Sequence, residues 1–133
     1  MAERQLVSSG SPYEPLFGFS RAVRAGEQVA VSGTAAIEPD GTVTAGGMRA
    51  QAARCLAIIE GALAEAGASL GDVTRTRIYV TDVSRWEEAA AAHAAVFGSI
   101  RPAATIVEVR ALVDPAMLVE IEADAVVGSG GGG

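Results

Sequence analysis

Apolar and polar positions alternate most regularly near the end of the chain. In a strand expected over Met117–Val127, Val119, Ile121, Ala123, Ala125 and Val127 fall on one face, and Glu120, Glu122 and Asp124 on the other. The apolar face is expected against a helical layer, the acidic face against water or another subunit. A partner strand is expected over Pro102–Arg110. Upstream, Phe17–Arg24 and Glu27–Ala35 read as a hairpin turning at Gly26, and Arg4–Val7 as an edge strand. Between them, Ser8–Pro15 is dense in turn formers and is expected to run extended and irregular.

Two helices interrupt the strands. After Gly46-Gly47, a period of three to four joins Met48, Ala52, Cys55, Leu56, Ile59, Leu63 and Ala66 in one stripe. Arg49, Gln51, Arg54 and Glu65 lie off it, and Gly67 ends the helix. Val73–Thr81 is the next strand, and Ser84-Arg85-Trp86-Glu87 fits a capping box opening a second helix. Its apolar stripe is Trp86, Ala89, Ala90, His93, Phe97 and Ile100, with Gly98 closing it. The order predicts an α/β (α+β) architecture: one six-stranded mixed sheet with two helices on one face. The bare opposite face calls for an oligomer.

Composition narrows the function. The 133 residues fit one domain over 1–127, followed by a Gly-rich, linker-like tail over 128–133. Sixteen acids against ten bases give a net charge of −6, which opposes a nucleic-acid surface. No apolar run is long enough for a bilayer and no secretory leader is evident, so a cytoplasmic setting is expected. A lone Cys55 forms no internal disulfide, and with a single His93 neither a conventional metal centre nor a cofactor is expected.

Few residues carry candidate chemistry. The three acids of the last strand are either solvated surface groups or, at Glu120, a reactive carboxylate. Tyr13, between Pro12 and Pro15, either lines a pocket or covers a core edge. Gly33, at a strand end, marks a bulge or a close approach of backbone to another group. His93 reads as a packed core or interface histidine, or else a general base. Cys55, on a buried stripe, reads as a small hydrophobe.

Taken together, Ser11-Pro12-Tyr13, Val31-Ser32-Gly33, the Gln51 helix, Ala66–Val73, Thr81-Asp82, Pro102-Ala103 and Val119-Glu120-Ile121-Glu122 resemble the RidA (YjgF) family over about Ser11 to Val127. The resemblance implies a chorismate-mutase-like fold, a homotrimer with clefts between subunits, and hydrolysis of reactive enamines and imines to carbonyl products and ammonia. It places Tyr13, Ser32, Gly33 and Glu120 in the cleft, with Glu120 activating water. It also exposes departures: Ala104 stands where the family carries a carboxylate-clamping arginine, Thr34 where a glutamine is usual, and Ala90 where an asparagine often lines the cleft. Thr34, Ala104 and its neighbour Thr105 are expected to contact the substrate. The expected function is an enamine/imine hydrolase with altered or reduced activity. The alternative is a non-catalytic trimer binding a small molecule in the same clefts, with a nucleic-acid role the weakest reading.

Overall fold

The computed structural model describes residues 3–130. Six strands and three helices follow in the order β1 (Arg4–Val7), α1 (Tyr13–Phe17), β2 (Ala22–Ala25), β3 (Gln28–Ala35), α2 (Met48–Glu65), β4 (Val73–Val80), α3 (Trp86–Phe97), β5 (Ala103–Glu108) and β6 (Val119–Val126). The strands form one sheet in the order β1-β2-β3-β6-β4-β5. Only β4 and β5 run parallel; the other neighbours are antiparallel. A helix lies between β4 and β5, as a parallel pairing requires.

The alternation in β6 decides which way the sheet faces. Val119, Ile121, Ala123 and Ala125 are buried with Val29 and Val31 of β3 and Ile78 and Val80 of β4. The α2 stripe lies over them, and Met48, Ala52, Cys55, Leu56, Ile59 and Leu63 are fully enclosed. Each large side chain removed from water here contributes roughly 1.5–3 kcal/mol. Burial pushes the Cys55 thiol up to about 12, so it stays protonated and serves as a small core residue.

Several local expectations change. Tyr13–Phe17 is a short helix, not an extended path, and β2 begins at Ala22 rather than Phe17. Pro12 caps that helix and Pro15 falls in its first turn, where the missing N–H has no partner to lose. The second long helix is opened by Asp82, whose carboxylate accepts from the Ser84 N–H and caps a 3-10 turn over Val83–Arg85. The reciprocal capping box occurs elsewhere, between Ser69 and Asp72. Trp86 leaves the expected apolar stripe and is 46% exposed. Its place in the first turn of α3 sets it at the β5 edge of the sheet, beside Ala104 and Ile106.

Gln51 is the clearest departure, for it is buried rather than off the packed face. Its amide donates to the carbonyls of Thr44 (3.1 Å) and Ala116 (2.9 Å), and its oxygen accepts from the Leu118 N–H at 2.8 Å. One side chain thus ties α2 to the segments entering α2 and β6. Gln51→Leu keeps the volume but leaves three backbone groups unpaired. A loss of about 2–4 kcal/mol is expected, because unpaired buried groups cost about 1–3 kcal/mol each and some recover water. Urea unfolding monitored by circular dichroism measures it, and an unchanged midpoint contradicts the assignment.

Candidate functional site on the open sheet face

The face of the sheet away from the helices carries the ionisable groups. Register places Glu120 between Ala35 of β3 and Tyr79 of β4, Glu122 opposite Arg77, and Asp124 opposite Arg75. Side chains opposite one another share a face. Arg77 Nη1 lies 3.4 Å from Glu122 and 3.2 Å from Asp124, and the Tyr79 hydroxyl donates to Glu122 at 2.8 Å. That bond, with burial, raises the Tyr79 hydroxyl above its ordinary range. Two of the three acids are therefore paired, not merely solvated.

Glu120 differs. Among the described residues it enters none of the ion pairs. Burial, reinforced by the neighbouring Glu122 charge and opposed by Arg21, raises its carboxyl above the usual carboxylate range. Its position depends on β3. The β3–β6 register slips between Val31 and Thr34, so a bulge brings Gly33 against the Glu120 side chain. A Cβ at residue 33 would lie 2.4 Å from Glu120 Oε2, so the carboxylate occupies the space a side chain would need. The glycine required here serves close approach rather than an unusual turn.

Arg21 holds the bulge from behind. Its Nη1 donates to the Gly33 carbonyl at 2.6 Å and to Thr34 Oγ1 at 3.0 Å, and its Nε lies 3.8 Å from Glu14. Burial lowers the guanidinium's affinity for its proton, while the charges of Glu14 and Glu120 support it. Burial also works to raise Glu14, but bonds from Ser9 and Ser8 and the nearby guanidinium outweigh it and leave the carboxyl lowered. An Arg inside the apolar run Phe19–Val23 was the available signal for this anchor, and periodicity alone passed over it.

The expected site residues divide into separate places. Glu120, Gly33 and Ser32 lie together at the bulge. The Ser32 hydroxyl donates to the Ser20 carbonyl at 2.6 Å, leaving its oxygen free to accept. Thr34 is only 1% exposed and donates to the Ser32 carbonyl at 2.8 Å, so it supports the bulge from the core side instead of facing a substrate. Tyr13 stands exposed on α1, joined to the cluster through its neighbour Glu14.

Ala104, Thr105 and His93 form a second place. They line a cavity of about 170 Å³ with Ile78, Trp86, Ala90 and Ile106. His93 Nε2 and Thr76 Oγ1 are 2.8 Å apart, and the ring packs on Phe97 with centroids at 4.7 Å. Burial lowers the His93 pKa, favouring the neutral ring. Ala104 is opposite Thr76, whereas Glu120 is opposite Tyr79. Residues three apart on β4 point to opposite faces, so Ala104 and Glu120 lie on opposite sides of the sheet, with β4 between their strands. One chain does not bring them together.

A hollow of about 440 Å³ between β1 and α1 carries one charged lining group, Glu14, already engaged by Ser8, Ser9 and Arg21. Among the described residues no group of three His, Cys, Asp or Glu is placed to hold a metal ion. No helix among them is long and apolar enough to cross a membrane.

The fold is that of a known family. The family model described as Endoribonuclease L-PSP matches residues 10–127. The solved structure of Rv2704 from Mycobacterium tuberculosis, a member of the YjgF/YER057c/UK114 family, is 52% identical, covers 94% of this chain and 100% of its own, and superposes with a TM-score of 0.87. The uncharacterized protein SCO2049 of Streptomyces coelicolor is 36% identical over 123 residues, 92% of each chain. The RutC family protein PYRAB12510 of Pyrococcus abyssi is 32% identical, over 94% of this chain and 98% of its own. The chain belongs to the YjgF/RutC/Rid family, and in it Ala104 stands where the sequence resemblance led us to expect an arginine.

Proposed function

We propose that this protein hydrolyses a reactive enamine or imine to a carbonyl product and ammonia, with Glu120 as the proton-transferring group. The observation that carries the reading is the half-buried Glu120 carboxyl, seated against Gly33, raised by burial and, among the described residues, outside every ion pair. A carboxylate of this kind takes a proton from water as the water oxygen bonds to the imine carbon and the C=N π pair moves to nitrogen. It returns that proton to nitrogen, giving a carbinolamine; it then takes the carbinolamine hydroxyl proton and passes it to nitrogen as well, and the oxygen lone pair forms the carbonyl as the C–N bond breaks and ammonia leaves. An enamine first gains a proton at carbon, supplied by the protonated form of Glu120, which burial favours over that of an ordinary carboxylate. In this reading Ser32 Oγ, whose proton goes to the Ser20 carbonyl, accepts from the substrate nitrogen, and Arg21 holds the bulge beside Glu120.

The cleft requires more than one copy. Glu120 faces the open side of one chain, while the Ala104 cavity opens on the other side of the sheet. A complete site therefore draws its two halves from neighbouring subunits, and a homotrimer is the assembly we propose. Exposed Leu16 and Phe17 (84% and 83%) and Val107 on the edge strand supply apolar surface for such contacts. Light scattering after size exclusion is expected to give about three times the 13.4 kDa chain mass. A monomer at micromolar concentration contradicts the shared cleft.

Ala104 favours a second reading, a trimer that binds a small molecule without transforming it. Ammonia release from imines generated in the assay, with and without Glu120, separates the two. An RNA-cleaving role has less support: the net charge is −6, and Glu120, Glu122 and Asp124 concentrate negative charge on the open face.

A further inference from the structure

We propose that the cavity at the β5 edge is a subsite for an uncharged apolar group about the size of an aromatic ring, and that Ala104 sets this preference. The cavity is a hollow of about 170 Å³ open to solvent on one side, with room on the scale of one aromatic ring. Ile78 and Ile106 supply aliphatic wall, Ala90 and Ala104 leave the space open, and Trp86 offers a partly exposed indole. The one ionisable lining group is His93. Its ring is fixed by Thr76 Oγ1 at 2.8 Å and by Phe97, and burial favours its neutral form. No lining group supplies a cation, so a carboxylate entering here would lose water without gaining a partner.

The inference rests on the proposed function only in taking this occupant to be one end of the imine substrate. It then implies a substrate bearing an apolar or aromatic substituent in place of a carboxylate.

Trp86 is the chain's single tryptophan, so its emission reports on the cavity directly. Titrating the intact protein with benzyl alcohol is expected to give a saturable change in Trp86 fluorescence. Benzoate, matched in ring size but charged, is expected to bind roughly tenfold more weakly or worse. Ala104→Leu fills the cavity and is expected to remove the response. Ala90→Leu fills it from the helix side and serves if the first variant does not fold by circular dichroism. Absence of a saturable change, benzoate binding as well as benzyl alcohol, or a response that survives in a folded filled variant overturns the inference. The titration is repeated in Glu120→Gln, which binds without turning over. Binding there without hydrolysis by the unaltered protein counts against the proposed function alone, whereas hydrolysis without benzyl alcohol binding counts against this subsite alone.

Discussion

Glu120→Gln is expected to lower ammonia release by roughly 10²–10⁴-fold, the usual contribution of a positioned acid–base group. Gln fills the same space beside Gly33, so binding and assembly should persist while proton transfer fails. The loss should be in kcat rather than in ligand affinity. The kcat/KM profile of the unaltered protein should show an inflection above the usual carboxylate range, because burial raises Glu120, and the inflection should vanish in the variant. Stability carries the opposite sign. At low pH the carboxyl is protonated in both folded and unfolded chains and costs nothing. As pH rises through the ordinary carboxylate range the unfolded chain ionises first, and folding is weakened until Glu120 itself ionises. The variant should therefore match the parent below that window and be slightly more stable above it. A group this exposed to screening should contribute less than about 1 kcal/mol. Thermal melts at two pH values measure it, and a variant less stable at neutral pH would point to a structural role.

Ala104→Arg is expected to raise hydrolysis of carboxylate-bearing imines by roughly 10- to 150-fold, corresponding to the 1.5–3 kcal/mol of a charge-assisted hydrogen bond. The cavity of about 170 Å³ has room for much of the new side chain, and the Trp86 indole offers a face for the guanidinium. A favoured neutral form of His93 limits repulsion of the added charge. Coupling a threonine dehydratase to the protein and trapping free imine with semicarbazide measures the change. A folded, assembled variant with the parent's rate argues that the cavity does not meet the substrate.

The element order and the two-sided sheet were legible because β6 alternates with period two and α2 repeats at three to four. Each pattern states which side of its element meets the core. The β3 bulge was legible in Gly33. Gln51 was not, because periodicity assigns an amide to the solvent side and says nothing of backbone carbonyls converging from Thr44 and Ala116. The helix over Tyr13–Phe17 was hidden by prolines, which read as breakers unless they fall in a first turn. Glu120 was singled out in the sequence, but its difference from Glu122 and Asp124 was not. It arises from Arg77 and Tyr79 on an adjacent strand, 45 and 43 residues before Glu122, and from Arg21 behind the bulge. Ala104 and Glu120, two strands apart in one sheet and on opposite faces, read as one site in the sequence and as two places in the chain.

The most direct measurement is ammonia release, above the spontaneous rate, from two imines of equal size, one with an uncharged aromatic substituent and one with a carboxylate, by the parent and by Glu120→Gln. The predicted result is acceleration of the aromatic imine well beyond the carboxylate-bearing one, abolished in Glu120→Gln while the protein remains assembled. Acceleration that persists in an assembled Glu120→Gln protein, or no acceleration of either imine by the parent, contradicts a hydrolase built on Glu120.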